Sequence, residues 1–458
     1  NREKGRLFMK KSLLFLAAAA VAGVAVTGCS GNSDEKPTAI QNENTQADAS
    51  GKNASANGKT GEGIRIAWWG NQKRADATIA AFDAFAEANG ADFTYEYNSY
   101  DAYWETLATQ SVGNNLPGIV QQVTDQYAGY INNGLLLDLN PYVESGALDL
   151  SNCDDIYISG GNYKDGFYGV SLGANVMTIM YNQDLFDAAG VKTPKMGWTW
   201  SEFVSAAREI YEKTGVQTEN VALGMPRYLL EPMIRSKGQA LYSEDGKGFG
   251  FDDTTKAELV QVLQDCYDLT QEGVFVNPGD QLLWKDNSER ALCTGEAAMG
   301  MNWSSQFSNF AGYFDQNLAM TTQPLFDNGT EKGMYVRPAQ FFSITKDCPD
   351  PETAAKAISF FINDKTANET LNGERGIPAS KIIREELKTK AEGNEKKVYD
   401  FMDEVVDYCR DADPAEPSTS RQCVEVLNNN VNELMYGQMT AQECVDSWME
   451  QSLEILAK

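Results

Sequence analysis

The chain has 458 residues, with 38 Lys and Arg against 65 Asp and Glu, no histidine, and a formal net charge of −27. Such a charge repels nucleic acid and anionic headgroups, so no nucleic-acid partner is expected. The absent histidine removes the Ser-His-Asp and Cys-His catalytic arrangements and most zinc sites, and no metal or other cofactor is expected.

The first start-like residue is Met9, so residues 1–8 read as upstream sequence. A basic pair, Lys10 and Lys11, leads into an apolar run from Leu13 to Val26 and then Val26-Thr27-Gly28-Cys29. This is the layout of a secretory signal peptide over 1–28. The run is too short to span a bilayer, which takes roughly 20 residues. Cys29, directly after Val-Thr-Gly, resembles the bacterial lipobox cysteine that takes a diacylglyceryl group. Cys29 is therefore the expected lipidation site, and the outer face of the cytoplasmic membrane the expected location. Residues 29–63 are rich in Asn, Ser, Ala, Gly and Thr and hold too little apolar surface to offset their ordering entropy. They read as a flexible tether.

The remaining ~395 residues exceed what one hydrophobic core usually serves, so two lobes are expected. Ile64 to Trp68 alternates at period two and reads as a strand. Ala75 to Asn89 carries Ile79, Phe82, Phe85 and Ala86 on one helical face and ends at Gly90. Phe93 to Tyr97 is the next strand, and strand–helix–strand argues for a parallel unit and an α/β fold. A helix over Ala102–Ser111 and a strand over Ile119–Val123 follow, with Asp125 placed to cap a helix from Gln126 to Asn132. Val176 to Tyr181 reads as a strand, and Thr199-Trp200-Ser201-Glu202 as a capping box opening a helix. Thr255–Gln271 is amphipathic, Ala298–Met301 a buried strand running into Trp303, and Asp350-Pro351 a helix start. Cys153, Cys266, Cys293, Cys348, Cys409, Cys423 and Cys444 are scattered without a C-x-x-C. They read as small buried hydrophobes, with a disulfide among the last three left open.

Several stretches then match one family in order: Ile66-Ala67-Trp68-Trp69-Gly70, Gly134 to Tyr142, Asp165-Gly166-Phe167-Tyr168-Gly169-Val170, Tyr181 to Phe186, Thr199 to Phe203, Gly295 to Met299, and the loop Gly373 to Pro378. The body resembles the extracellular solute-binding proteins of ABC importers, family 1, the group that binds sugars and oligosaccharides. The resemblance implies a two-lobed periplasmic-binding-protein-like α/β fold, with strands crossing between the lobes and ligand held in the cleft. Lobe 1 is expected over 64–172 plus 298–341, and lobe 2 over 173–297 plus 342–458. It also implies a monomeric binding component, not an enzyme, that takes up a di- or oligosaccharide reversibly and passes it to the transmembrane permease subunits. The membrane contact would be the lipid on Cys29. Two other classes compete: a sensor or adhesin lipoprotein of the same fold, and a secreted glycoside hydrolase working with two carboxylates.

A sugar site needs aromatic platforms for C–H faces and amides, carboxylates or Arg for the hydroxyl rim. Trp69 and Arg74 flank the loop after the first strand, where open α/β sheets place ligands. Trp104, with Tyr100 four residues before it, matches a position where the family often has an aromatic. Asp125 matches a family carboxylate that reaches the sugar, and Trp303 a tryptophan presented into the cleft. Trp284 lies among polar neighbours. Asn175, Arg337 and Gln340 fall near an expected lobe crossing.

Overall fold

The computed structural model describes residues 63–457 except 315, 414 and 415. The expected signal peptide over 1–28, Cys29 and the expected tether up to residue 62 lie outside the described residues. Strands β1 (Ile64–Trp69), β2 (Phe93–Asn98) and β3 (Ile119–Gln122) are parallel, with β1 between the other two. The helix Gln72–Asn89 joins β1 to β2. Asn71 caps its start by accepting the Arg74 N–H, and Gly90 closes it in the left-handed conformation (φ 69°) that a side chain disfavours. Its apolar face, with Ala75, Phe82 and Phe85 buried, lies on the sheet.

Strand β4 (Val170–Asn175) belongs to this first sheet, while β5 (Met177–Asn182) starts only one residue later and belongs to a second. The chain thus passes between the sheets at Val176. In the second sheet β5 lies between β6 (Met299–Trp303) and β7 (Leu318–Thr322), antiparallel to both. Strand β8 (Arg337–Ile344) returns to the first sheet, antiparallel to β3 and β4, giving the order β2-β1-β3-β8-β4.

This pairing departs from the expected lobe division in two places. Residues 298–303 were expected back in lobe 1, yet β6 pairs with β5. A strand leaving its sheet after one linking residue carries two free edges, and β6 fills one of them. Residues 342–458 were expected in lobe 2, yet the helices Pro351–Asn363 and Lys365–Leu371 pack on Gln72–Asn89. Phe361 interlocks there with Phe82 (5.1 Å between ring centroids) and Phe342 (5.2 Å). Once β8 re-enters the first sheet, the chain leaves it over the face that presents these rings. The helices Ser420–Met435 and Ala441–Leu456 do pack with Asp253–Gln271 in the second lobe.

The capping box at Thr199 forms both of its hydrogen bonds. Asp125 is not a cap. Its helix starts at Thr124 without a side-chain cap, and Asp125 sits in the first turn. The seven cysteines of the described residues are all buried and unpaired, so the disulfide left open among Cys409, Cys423 and Cys444 does not form. No helix among the described residues is long and apolar enough to cross a membrane.

Candidate functional site

The helix Pro226–Ser236 opens with proline at its first turn, where a missing N–H costs nothing. Spacing by four puts Arg227, Glu231 and Arg235 on one face. Arg227 donates to Glu416 through Nη1 (2.6 Å) and Nη2 (2.7 Å), and to Glu231 through Nε (3.1 Å). Arg337, at the start of β8, lies 3.6 Å from the same Glu416 carboxylate and donates to Thr124 Oγ1 at the entrance of the helix Thr124–Asn132. Arg235 pairs with Asp413 and donates to the carbonyls of Gly333 and Asp411. Burial would raise the Glu416 carboxyl, but the adjoining Arg227 and Arg337 overcome it and hold it at about 2.

Above this ion-pair set sits an aromatic group. The Tyr228 ring is flanked by the guanidiniums of Arg227 (5.6 Å) and Arg337 (5.3 Å) and meets Trp303 edge to face at 4.9 Å. Tyr335 and Arg337 alternate with buried Val336, so both side chains point the same way. Two small cavities lie here, about 30 and about 20 Å³, lined in part by Glu231, Arg235 and Tyr335. The first also takes in Thr124, Tyr127 and Gly160 from the first lobe, so the space lies between the lobes. The segment around 409–416 runs along this junction. Its Arg410 N–H bonds to Met334, and its Ala412 N–H to Ser159 Oγ.

A separate group in the first lobe, lining neither cavity, is of another kind. Trp69, at the end of β1, contacts Tyr100 (5.4 Å), Tyr103 (5.3 Å) and Trp104 (5.7 Å), and Trp104 reaches Tyr130 (6.0 Å). The Trp104 Nε1 and both amide atoms of Gln122, at the end of β3, are buried and have no hydrogen-bond partner among the described residues. Burial raises the Asp125 carboxyl, Glu416 adds to this, and Arg337 opposes it. The Tyr100 hydroxyl is also raised, by burial and then by Asp125. Asp125 therefore stands within electrostatic reach of both groups.

Of the residues expected from the sequence, the fold brings Trp303 and Arg337 to one cavity and Trp69 and Trp104 into one aromatic cluster. Asp125 lies between the two groups. Asn175 faces Arg337 across β4 and β8 at the crossing, and its Oδ1 is buried without a partner among the described residues. Three residues lie elsewhere. Arg74 is buried against the loop after Leu371, 3.6 Å from Glu374, and bonds to backbone carbonyls. Gln340 is buried with Gln121 and Arg375. Trp284 packs over the Arg290 guanidinium (5.8 Å) and lines neither cavity. Sequence reasoning missed Arg227, Tyr228, Glu231, Tyr335 and Glu416. The spacing of four through Arg227, Glu231 and Arg235, and the period of two from Arg337 back to Tyr335, were signals within reach. Glu416 meets Arg227 across 189 residues of chain, and nothing local marks it.

A profile of the family described as bacterial extracellular solute-binding protein matches residues 80–394. The chain belongs to this family. Among solved structures, this solute-binding protein is similar to an extracellular solute-binding protein of family 1 from Alicyclobacillus acidocaldarius, with 24% identity and a TM-score of 0.74 over 88% of this chain and 100% of that one. It is also similar to a periplasmic oligogalacturonide-binding protein from Yersinia enterocolitica, with 20% identity and a TM-score of 0.73 over 86% and 99%. An ABC substrate-binding protein from Listeria monocytogenes in complex with cycloalternan follows, with 18% identity and a TM-score of 0.67 over 86% and 100%. At these identities the likeness is one of fold. A curated relative, an uncharacterized lipoprotein of Streptomyces antibioticus, is 27% identical over 144 residues, which span 30% of this chain and 31% of the relative. The chain thus has the two-lobed fold of the extracellular solute-binding proteins.

Proposed function

We propose that this solute-binding protein binds a di- or oligosaccharide between its lobes and delivers it to an ABC permease, held to the membrane by lipid on Cys29. The observation that carries the reading is the Trp303–Tyr228 pair at the second cavity, rimmed by Arg337 and Glu231, beside the inter-lobe cavity that Arg227 and Glu231 also line. Rings supply faces for sugar C–H groups, and the rim supplies donors and acceptors for hydroxyls. The oligogalacturonide and cycloalternan named for its structural relatives support the same ligand class. A cavity of about 30 Å³ holds about one water. Loading a sugar therefore requires the lobes to part and close again, which is the hinge motion such a fold performs.

Titration calorimetry of the full chain against a panel of oligosaccharides tests the reading. Saturable binding of at least one saccharide is expected. Binding of an amino acid or peptide and of no saccharide would replace the substrate class. The anchor is tested separately: Cys29→Ser should abolish labelling by a fatty-acid precursor and release the protein from the cells, while leaving saccharide binding unchanged.

A further inference from the structure

Arginine is the side chain best fitted to recognise a sugar acid, because its planar fork donates two parallel hydrogen bonds to one carboxylate. Arg227, Arg235 and Arg337 line the inter-lobe cavities, which by residue type alone would suit an acidic saccharide. Each of them is already engaged. Arg227 grips Glu416 with both terminal nitrogens, the geometry a ligand carboxylate would adopt, and Arg337 lies 3.6 Å from that same carboxylate. Arg235 is held by Asp413. The three guanidiniums thus stand against three carboxylates lining the same space, Glu231, Asp413 and Glu416.

An entering uronate would add a negative charge beside three carboxylates that already hold these guanidiniums, and would have to displace one of them to recover its lost hydration. Sugar hydroxyls face no such barrier, since each can donate to a carboxylate and accept from a guanidinium. The field at Asp125 agrees: its carboxyl is raised by burial and then by Glu416, which together outweigh Arg337, a backbone hydrogen bond and Arg421. We infer that the ligand is an uncharged saccharide, and that Glu416 sets this specificity by occupying the place on Arg227 and Arg337 that a sugar carboxylate would take. The inference rests on the carbohydrate reading above.

The test is calorimetry of the full chain with maltotriose, cellotriose and galactotriose against trigalacturonate. A neutral trisaccharide should bind, with trigalacturonate weaker by on the order of 100-fold. Trigalacturonate binding as tightly as any neutral trimer would overturn the inference and leave the carbohydrate reading standing. Binding of none of the four, nor of any saccharide in the wider panel, would overturn both. Glu416→Gln keeps the volume and one acceptor for Arg227 but removes the charge. It should raise trigalacturonate affinity by about tenfold or more, and added salt should reduce that gain. A folded Gln variant that still excluded trigalacturonate would remove Glu416 from the role, and if the variant did not fold, the four-sugar comparison on the native chain would decide.

Discussion

Two side-chain groups of the molecule are built on opposite principles. The first-lobe group is aromatic: Trp69, Tyr100, Trp104 and Tyr130 lie ring against ring, with polar atoms such as the Trp104 Nε1 without hydrogen-bond partners among the described residues. The second-lobe group is ionic: Arg227, Glu231, Glu416 and Arg337 satisfy one another, and the Tyr228 and Trp303 rings rest on them. An aromatic group is held by area and stays open to a new hydrogen-bonding partner. An ionic group is held by mutual neutralisation, and removing any one member leaves a buried charge. The first arrangement can adapt to a new contact, and the second holds its members in one geometry.

The largest effect should come from breaking the ionic group. Arg227→Ala leaves Glu231 and Glu416 buried without their shared cation and should cost about 3–5 kcal/mol, read from urea denaturation. In the aromatic group, Trp104→Phe removes an indole N–H that has no hydrogen-bond partner among the described residues and should stay within about 1 kcal/mol. Equal losses from the two variants would erase the distinction between the groups.

Much of this architecture was legible in the sequence because it is local. Strand alternation over Ile64–Trp68, the Gly90 stop and the Thr199–Glu202 capping box depend on neighbours a few residues away, and each forms where expected. Sheet membership was not legible. Met299–Trp303 carries the pattern of a buried strand that either sheet would accept, and only the free edges of β5 decide between them. The same holds for the site. Trp303 was named from the family resemblance and Arg337 from an expected lobe crossing, and both line one cavity, whereas Glu416 depends on a partner 189 residues away. Arg74 shows the converse error. Its place after a strand suggested a ligand contact, but the loop carrying Glu374 comes back to cover it.

A second prediction asks whether the rings resting on the ionic group serve the ligand. Trp303→Ala should weaken saccharide binding by about 1–3 kcal/mol, the cost of losing an aromatic platform. Trp284→Ala should leave affinity unchanged, because that ring packs on Arg290 away from both cavities. Calorimetry on the pair separates a stacking role from a general loss of packing. If both variants bound alike, Trp303 would belong to the packing of that group and not to the site.

The smallest effect lies between the two groups, at Asp125. Its carboxyl is raised in the folded protein, first by burial and then by Glu416, while Glu416 itself is held down at about 2. The two should respond to acid in opposite directions. A carboxyl raised on folding is protonated in both states at low pH. As pH climbs through the ordinary carboxylate range, the unfolded chain ionises first, so a penalty on the folded state builds up and is complete above the folded-state pKa. Glu416 contributes stability that is full above the ordinary range and is lost as pH falls toward about 2. Asp125→Asn imitates the protonated form, so it should stabilise the protein at pH 7 by no more than about 1 kcal/mol, given partial solvent screening. That gain should vanish below about pH 4, where the native carboxyl is protonated as well. Urea denaturation of both proteins across this range is the measurement. A gain that did not depend on pH would reflect packing. A loss at pH 7 would mean that Arg337 outweighs burial and Glu416, and that Asp125 belongs to the ionic group.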